Sequence, residues 1–284
     1  MKPKLVTVTG HRTNTLWHQL NHYKDMVSDI FVITYENEDS PKNIKGEVEY
    51  ICKQFGITPH TVRTHRPFDW EYVTQLYNET KMLHPNDWWI VSDDDEFQIY
   101  NDLVENIIDE CEEFGYKFVT GGFIDRIGFN GDFPKIKEKE DIWKQFPMAG
   151  FFRYPMSGAC PNKVTLMKGW VELTPGQHYA KIDGQTTWRW QGWNHPLRYP
   201  VDRNFTQVHH FKWDSTVVDR LQDVANIGKV YAFSKEYKEM YEALKENNFM
   251  LDIYDKKYMF EEVNKIGYHY YKSWGKLSKI IQSI

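Results

Sequence analysis

The residues best equipped for chemistry stand together at Asp93-Asp94-Asp95-Glu96, directly after the apolar run Trp88-Trp89-Ile90-Val91-Ser92. Four adjacent carboxylates repel one another. Between residues 82 and 116 the chain carries 11 acids and no Lys or Arg, so nothing nearby in sequence offsets them. A hard divalent cation, Mg²⁺ or Mn²⁺, would do so, because such ions take carboxylate oxygens. In an extended strand end Asp93 and Asp95 face one side and Asp94 the other. That geometry lets Asp93 and Asp95 address one ion together. The same run also reads as a solvated acidic turn ahead of the negative first turn of a helix.

The elements that must position this cluster follow from periodicity. Residues 4–9 and 29–34 read as buried strands, 60–64 as a short one, 87–92 as a fourth and 117–121 as a fifth. Between them, 14–26, 42–55, 69–83 and 102–114 carry helical spacing, the last opened by Asp102 and Glu105 at capping-box separation. Strand–helix alternation of this length predicts an α/β fold, a mostly parallel sheet covered by helices. Such sheets bind ligands at the carboxyl ends of their strands, where the acids lie. After residue 122 Gly, Pro and aromatics dominate, and strand-like pieces at 163–168, 186–190 and 206–212 predict extra strands and loops on the same sheet. Helices return at 214–227, capped by Asp214 and stopped by Gly228, and at 234–247; residues 250–284 suggest a loose helical tail. There is no repeat and no low-complexity segment.

Composition narrows the classes. The 284 residues hold 35 Lys+Arg against 40 Asp+Glu, a net charge of −5, which gives no support to a nucleic-acid-coating role but leaves room for a local basic groove. With charged residues at 26% and a mean hydropathy of −0.66, no apolar run long enough to span a bilayer exists. The opening MKPKLVTVTG has no apolar signal region, and Cys52, Cys111 and Cys160 fit neither a disulfide framework nor a zinc site, so a reducing, cytoplasmic setting is expected. Aromatics reach 16%, including 11 Trp and 18 Tyr, enough to line a site that stacks sugars or bases as well as a core.

An Asp-x-Asp at a strand end, extended here to Asp93-x-Asp95-Glu96-Phe97, resembles the metal signature of nucleotide-sugar glycosyltransferases of the GT-A fold, in their family-2-like and family-92-like branch. Further pieces are similar in the same order: His22-Tyr23, Gly122-x-x-Asp125-Arg126, Asn130-Gly131, Lys163-Val164, Gly176-Gln177-His178 and His209-His210-Phe211-Lys212-Trp213. The resemblance spans roughly residues 3–228. It implies a GT-A-like, Rossmann-type domain over 1–230, with 231–284 as a helical C-terminal extension packed on it. It also implies a metal-dependent transfer of sugar from a nucleotide donor, a UDP-sugar, to a hydroxyl-bearing acceptor such as a glycan.

The resemblance further implies roles. Asp95 would hold Mn²⁺ or Mg²⁺ on the donor's diphosphate, with Asp93 at the ribose or the ion and Asp94 beside them. Thr9, Gly10 and Arg12 would hold the nucleotide, with Tyr35 and Glu36 near the base. His210 would complete the metal shell. His209 is adjacent and points the other way in an extended segment, which sets Lys212 on the face of His210, toward the phosphates. Arg126 or Lys212 would add positive charge where negative charge develops. An inverting transferase needs a carboxylate to take the acceptor's proton; Asp125 is the first candidate and Asp183 the second, while a retaining enzyme needs none.

Each residue also has a plainer reading. Asp125-Arg126 reads equally as a surface ion pair, His178 as a cap after Pro175-Gly176, the histidine pair as packing on Trp213, and Arg12 as a ligand of its own loop. Trp188, Trp190 and Trp193 read as core or as a sugar-stacking platform. Two other functions compete. A sugar nucleotidylyltransferase would want a Gly-rich, Arg-containing loop after the first strand, where Thr9-Gly10-His11-Arg12-Thr13 has one glycine. A non-catalytic sugar- or nucleotide-binding protein would not need the intact acids.

Overall fold

The computed structural model describes residues 1–38, 40–150, 162–186, 195–200, 203–204, 206–227, 234–253 and 261–262. Trp188, Trp190, Trp193, Gly228, Cys160 and most of the C-terminal tail lie outside the described residues. The chain divides into two compact units. The first takes Met1–Gly122 and Pro161–Val208, the second Phe123–Cys160 and His209–Ile284.

The first unit is a mixed α/β structure. Its strands are β1 (Lys4–Thr9), β2 (Asp29–Glu36), β3 (Thr61–Thr64), β4 (Trp88–Val91), β5 (Glu96–Ile99), the start of β6 (Phe118–Ile127) and, further along, Asn162–Lys168 and the start of Thr206–His210. Its helices are α1 (Leu16–Tyr23), α2 (Ile44–Gln54), α3 (Trp70–Lys81) and α4 (Val104–Phe114). The expected alternation is present, with trimmed ends. Asp69 caps α3 by accepting from the Glu71 N–H at 2.8 Å. Asp102 accepts from the Leu103 N–H and the Asn106 amide instead of forming the expected cap, so α4 starts at Val104.

In the second half come α5 (Ile142–Gln145), β7 (Met148–Gly150), β8 (Asn162–Lys168), β9 (Glu172–Leu173), β10 (Ala180–Ile182), β11 (Gln185–Thr186), β12 (Thr206–His210), α6 (Val217–Ile227), α7 (Ser234–Glu246) and β13 (Glu261–Glu262). The order β6-β8-β4-β1-β2-β3 forms the central sheet. β1 runs parallel to β2 and β4, and β2 parallel to β3. β8 runs antiparallel to β4 and β6. β5 pairs with β12, and β9-β10-β11 make a small antiparallel sheet.

Both faces of the central sheet are covered, which explains its unbroken apolar strands. Leu5, Trp88 and Ile90 pack with Tyr23 and with Ile107, Ile108 and Cys111 of α4. Leu16 and Leu20 of α1 and Val48 and Cys52 of α2 close over Val32. The alternate residues Val6, Val8, Trp89 and Val91 face Leu76 and Tyr77 of α3. The end of α3 carries an unusual core member: Lys81 is fully buried, and its ammonium donates to the Val171 carbonyl and lies 3.6 Å from Met167 Sδ.

In the second unit β7 pairs antiparallel with the end of β6, and β13 with β7. Helices α6 and α7 pack on each other, each with a buried stripe at helical spacing: Val217, Leu221 and Val224 on α6, and Tyr237, Met240 and Leu244 on α7. Asp214 caps the start of α6 through the Thr216 N–H at 2.7 Å, as expected. Among the described residues no helix is long and apolar enough to cross a membrane.

Candidate active site

The chain builds β1, then β2 and β3 on one side of it, then returns to place β4 on the other. The carboxyl ends of β1 and β4 therefore flank a topological switch point, where successive connections diverge and leave a crevice. Two segments fill it: the loop Thr9-Gly10-His11-Arg12 leaving β1 and the acids Asp93–Glu96 leaving β4. They touch directly. Thr9 Oγ1 donates to Asp94 Oδ2 at 2.5 Å, and Arg12 Nη2 lies 3.2 Å from Asp95 Oδ2. Gly10 is demanded by closeness, since a Cβ there would stand 1.9 Å from the Tyr35 carbonyl oxygen. Ser40 donates its hydroxyl to the Gly10 carbonyl. Glu36, at the end of β2, accepts from Thr64 Oγ1 at 3.2 Å.

The acids do not alternate as an extended strand. Asp94 and Asp95 form a turn closed by the Glu96 N–H on the Asp93 carbonyl at 3.0 Å, and β5 begins at Glu96. The turn sends Asp94 and Asp95 together to the β1 loop and Asp93 elsewhere. Asp93 Oδ1 accepts from Tyr77 Oη at 2.7 Å and Gln177 Nε2 at 3.2 Å, and its Oδ2 lies 3.5 Å from Lys163 Nζ. Lys163 also pairs with the buried Glu96 at 2.7 Å. The acids thus find counter-charge from Lys163, 70 residues away, and from Arg12. The local run of unopposed acids is not unopposed in space.

Negative charge still exceeds what its partners offset. Asp94 is pushed up to about 7, by burial first and by Asp95 next, against the pull of Thr9 and Arg12. Burial also raises the Glu96 carboxyl despite Lys163, and Glu96 Oε2 has no hydrogen-bond partner. Carboxylate oxygens in a charge-rich turn are the donor chemistry a hard divalent cation takes, so the residues fit such an ion in atom type and charge. Among the described residues no three His, Cys, Asp or Glu side chains form a metal-holding group by themselves.

Tyr77, Lys163 and Gln177 were not singled out as site residues from the sequence. In the sequence Tyr77 has no assigned role, and Lys163 and Gln177 enter only within the similar pieces Lys163-Val164 and Gly176-Gln177-His178. Gln177 sits in a 3-10 turn at Pro175–Gln177 with a left-handed φ of 55°, a conformation composition does not announce. His178 is half-buried with Nδ1 2.9 Å from the Asn162 carbonyl, and desolvation followed by Lys163 lowers it to about 4. Asp183 is exposed at the tip of the β10–β11 hairpin. With Gly184 it supplies the two positive φ values, 50° and 74°, of a type I′ turn.

In the second unit, Asp125 gathers two ring donors: His210 Nδ1 at 3.0 Å and Trp213 Nε1 at 2.9 Å, both on Oδ1. The expected opposition within β12 is present, since His209 is fully buried while the His210 side chain is 17% exposed. Phe123 packs on His210 at 4.9 Å. Arg126 points away from its neighbour Asp125. It is buried, donates to the Phe146 carbonyl at 2.9 Å, and lies over the Trp143 ring at 5.3 Å. Burial lowers it to about 9. Arg126 is thus spent on holding its own surroundings. Lys212 lies over the Tyr237 ring at 4.4 Å and the Trp213 ring at 5.3 Å.

No family model matches the chain, and no curated protein matches it. Among solved structures it is similar to mannose-6-phosphate isomerase from Helicobacter pylori, at 14% identity and a TM-score of 0.31 over 60% of this chain and 72% of that one. It is also similar to S. aureus TarS, at 8% identity and a TM-score of 0.37 over 80% of this chain and 39% of that one. A third is a putative glucose-1-phosphate thymidylyltransferase from Bacillus anthracis in complex with sucrose, at 11% identity and a TM-score of 0.31 over 100% of this chain and 96% of that one. Likenesses this distant assign the chain to no family.

Proposed function

We propose that the chain is a metal-dependent glycosyltransferase that moves a sugar from a UDP-sugar to a hydroxyl group of a glycan acceptor. One observation carries the reading: a loop with an arginine and a turn of four acids meet at the switch point of a mostly parallel sheet. A nucleotide diphosphate and its counter-ion need that combination. Asp95 would hold Mn²⁺ or Mg²⁺ from the side of the β1 loop, and Asp93, turned the other way, would meet the ribose or the ion's outer ligands; the ion would supply the positive charge that neutralises a leaving diphosphate. Thr9, Gly10 and Arg12 line the approach to the phosphates; Gly10 keeps the loop low against β2, and Arg12 offers a planar fork suited to phosphate oxygens. Glu36 ends β2 at the same edge of the sheet, where it would meet the nucleoside.

Asp125 is the proton acceptor in this reading. Its Oδ1 is engaged by His210 and Trp213, which fixes the carboxylate's orientation. Lys212 would contribute positive charge from its aromatic seat. The reading is tested by incubating the protein with a panel of nucleotide sugars, with and without Mn²⁺, and identifying products by mass spectrometry. Metal-dependent release of UDP from at least one donor is expected; indifference to every nucleotide sugar would sink the reading.

A further inference from the structure

We infer that Gln177 and Lys163 are positioning residues that aim the Asp93 carboxylate at the ligand. The inference rests on the reading of Asp93 as a metal- or donor-contacting acid. Gln177 is 2% exposed, and its amide spans two charged groups. Oε1 accepts from Lys163 Nζ at 2.5 Å while Nε2 donates to Asp93 Oδ1 at 3.2 Å. The orientation of that amide is dictated, because an ammonium can only donate and a carboxylate can only accept. Lys163 Nζ in turn meets Gln177, Glu96 at 2.7 Å and Asp93 at 3.5 Å.

The backbone argues that the glutamine side chain is kept for a purpose. Gly176 and Gln177 both have left-handed φ, 71° and 55°. For a residue with a Cβ that region costs on the order of 1 kcal/mol or more. Glycine or asparagine would sit there at less cost. What glutamine adds is reach: it closes the gap between Lys163 on β8 and Asp93 beyond β4, and Tyr77 of α3 completes the cradle from the other side at 2.7 Å. Asp93 is therefore gripped by three elements, yet its side chain is 34% exposed, against 12% for Asp95 and 2% for Glu96. A carboxylate held at both oxygens yet still reached by solvent is an oriented ligand. Outer partners of this kind govern affinity through the ligand they orient.

The test uses the full chain and reads Mn²⁺ binding in the presence of UDP, by the loss of the free Mn²⁺ signal in electron paramagnetic resonance. Gln177→Asn suits the backbone but is one methylene too short to bridge. Gln177→Glu keeps the length and the bond to Lys163 but offers Asp93 an acceptor in place of a donor. Both should weaken Mn²⁺ binding by roughly 10- to 100-fold. Gln177→Asn should melt within a few degrees of the wild type, which separates aim from fold. Lys163→Met leaves Glu96 unpaired and is expected to fold poorly, so it is not the deciding variant. In an Asp93→Asn background, read at millimolar Mn²⁺, Gln177→Asn should add almost nothing, because its effect passes through Asp93. Wild-type affinity in Gln177→Asn and Gln177→Glu, or an undiminished loss in the Asp93→Asn background, would overturn the inference. A wild-type protein that binds neither Mn²⁺ nor UDP would overturn the functional reading itself, and the inference with it.

Discussion

Replacing Lys81 with methionine should stabilise the protein, and the gain should depend on pH. The ammonium is fully buried, with the Val171 carbonyl and Met167 Sδ as its neighbours. Burial lowers its pKa from 10.5 to about 7, against a small opposing pull from Glu172. At about 1.4 kcal/mol per pH unit, that drop corresponds to about 5 kcal/mol of cost in keeping the charged form inside. Methionine has similar length and no charge. It forfeits the bond to the Val171 carbonyl, about 1–3 kcal/mol, so a net gain of about 2–4 kcal/mol is expected near pH 7. The sign follows from linkage. Between pH 7 and 10.5 the unfolded chain holds a proton on Lys81 that the folded chain has released, so wild-type stability rises with pH across that window. Below it the full penalty applies, and above it none does. Urea unfolding of wild type and Lys81→Met at pH 7, 8 and 9 measures this directly. The two should converge by about 1.4 kcal/mol per pH unit on going up. A variant that is less stable at pH 7, or a difference that does not change with pH, would show that the amine is not held at this cost.

Arg12→Ala removes the partner of Asp95 and a phosphate donor at once. UDP binding in the presence of Mn²⁺ should weaken by about 10- to 100-fold, the worth of a hydrogen bond to a charged group, as calorimetry would show; unchanged affinity would take Arg12 out of the donor site. Asp183→Asn keeps a residue that tolerates positive φ and should leave both stability and turnover within experimental error of wild type, whereas Asp183→Val should cost about 1–2 kcal/mol in unfolding titrations. A turnover collapse in Asp183→Asn would restore it as a base and displace Asp125. Asp125→Asn should cut turnover by roughly 10²–10⁴-fold with UDP affinity intact; full turnover would point to a retaining route.

The strands that frame the site were legible because they are buried on both faces. Trp88–Val91 and Leu5–Val8 show as apolar runs, and their helices show as spaced stripes. The turn at Asp93–Glu96 is not legible because Glu96-Phe97-Gln98-Ile99 hides a strand whose polar members are inside: Glu96 meets Lys163, and Gln98 donates to the Val91 carbonyl at 2.7 Å. Partners that distant leave no local trace. Gln177 is 84 residues from Asp93 and carries no periodic signal. Strands of two or three residues, such as β9 and β11, are too short to display alternation. The Asp183-Gly184 turn, by contrast, was written plainly in the sequence. An acid beside a glycine answers both to a turn and to a candidate base.

The order in which the central sheet is completed has a consequence for synthesis. β4 lies between β1 and β8, and its four residues Trp88, Trp89, Ile90 and Val91 are each at most 1% exposed once β8 is in place. On the ribosome, however, Val91 emerges 77 residues ahead of Lys168, the end of β8. At roughly 5–20 residues per second, that leaves two tryptophans on an unpaired strand edge for about 4–15 s. An open apolar edge is a template for pairing with another chain. Slow translation through residues 92–168 should therefore raise the fraction lost to aggregation, and a fragment ending at Gly122 should be insoluble although it contains both segments of the crevice.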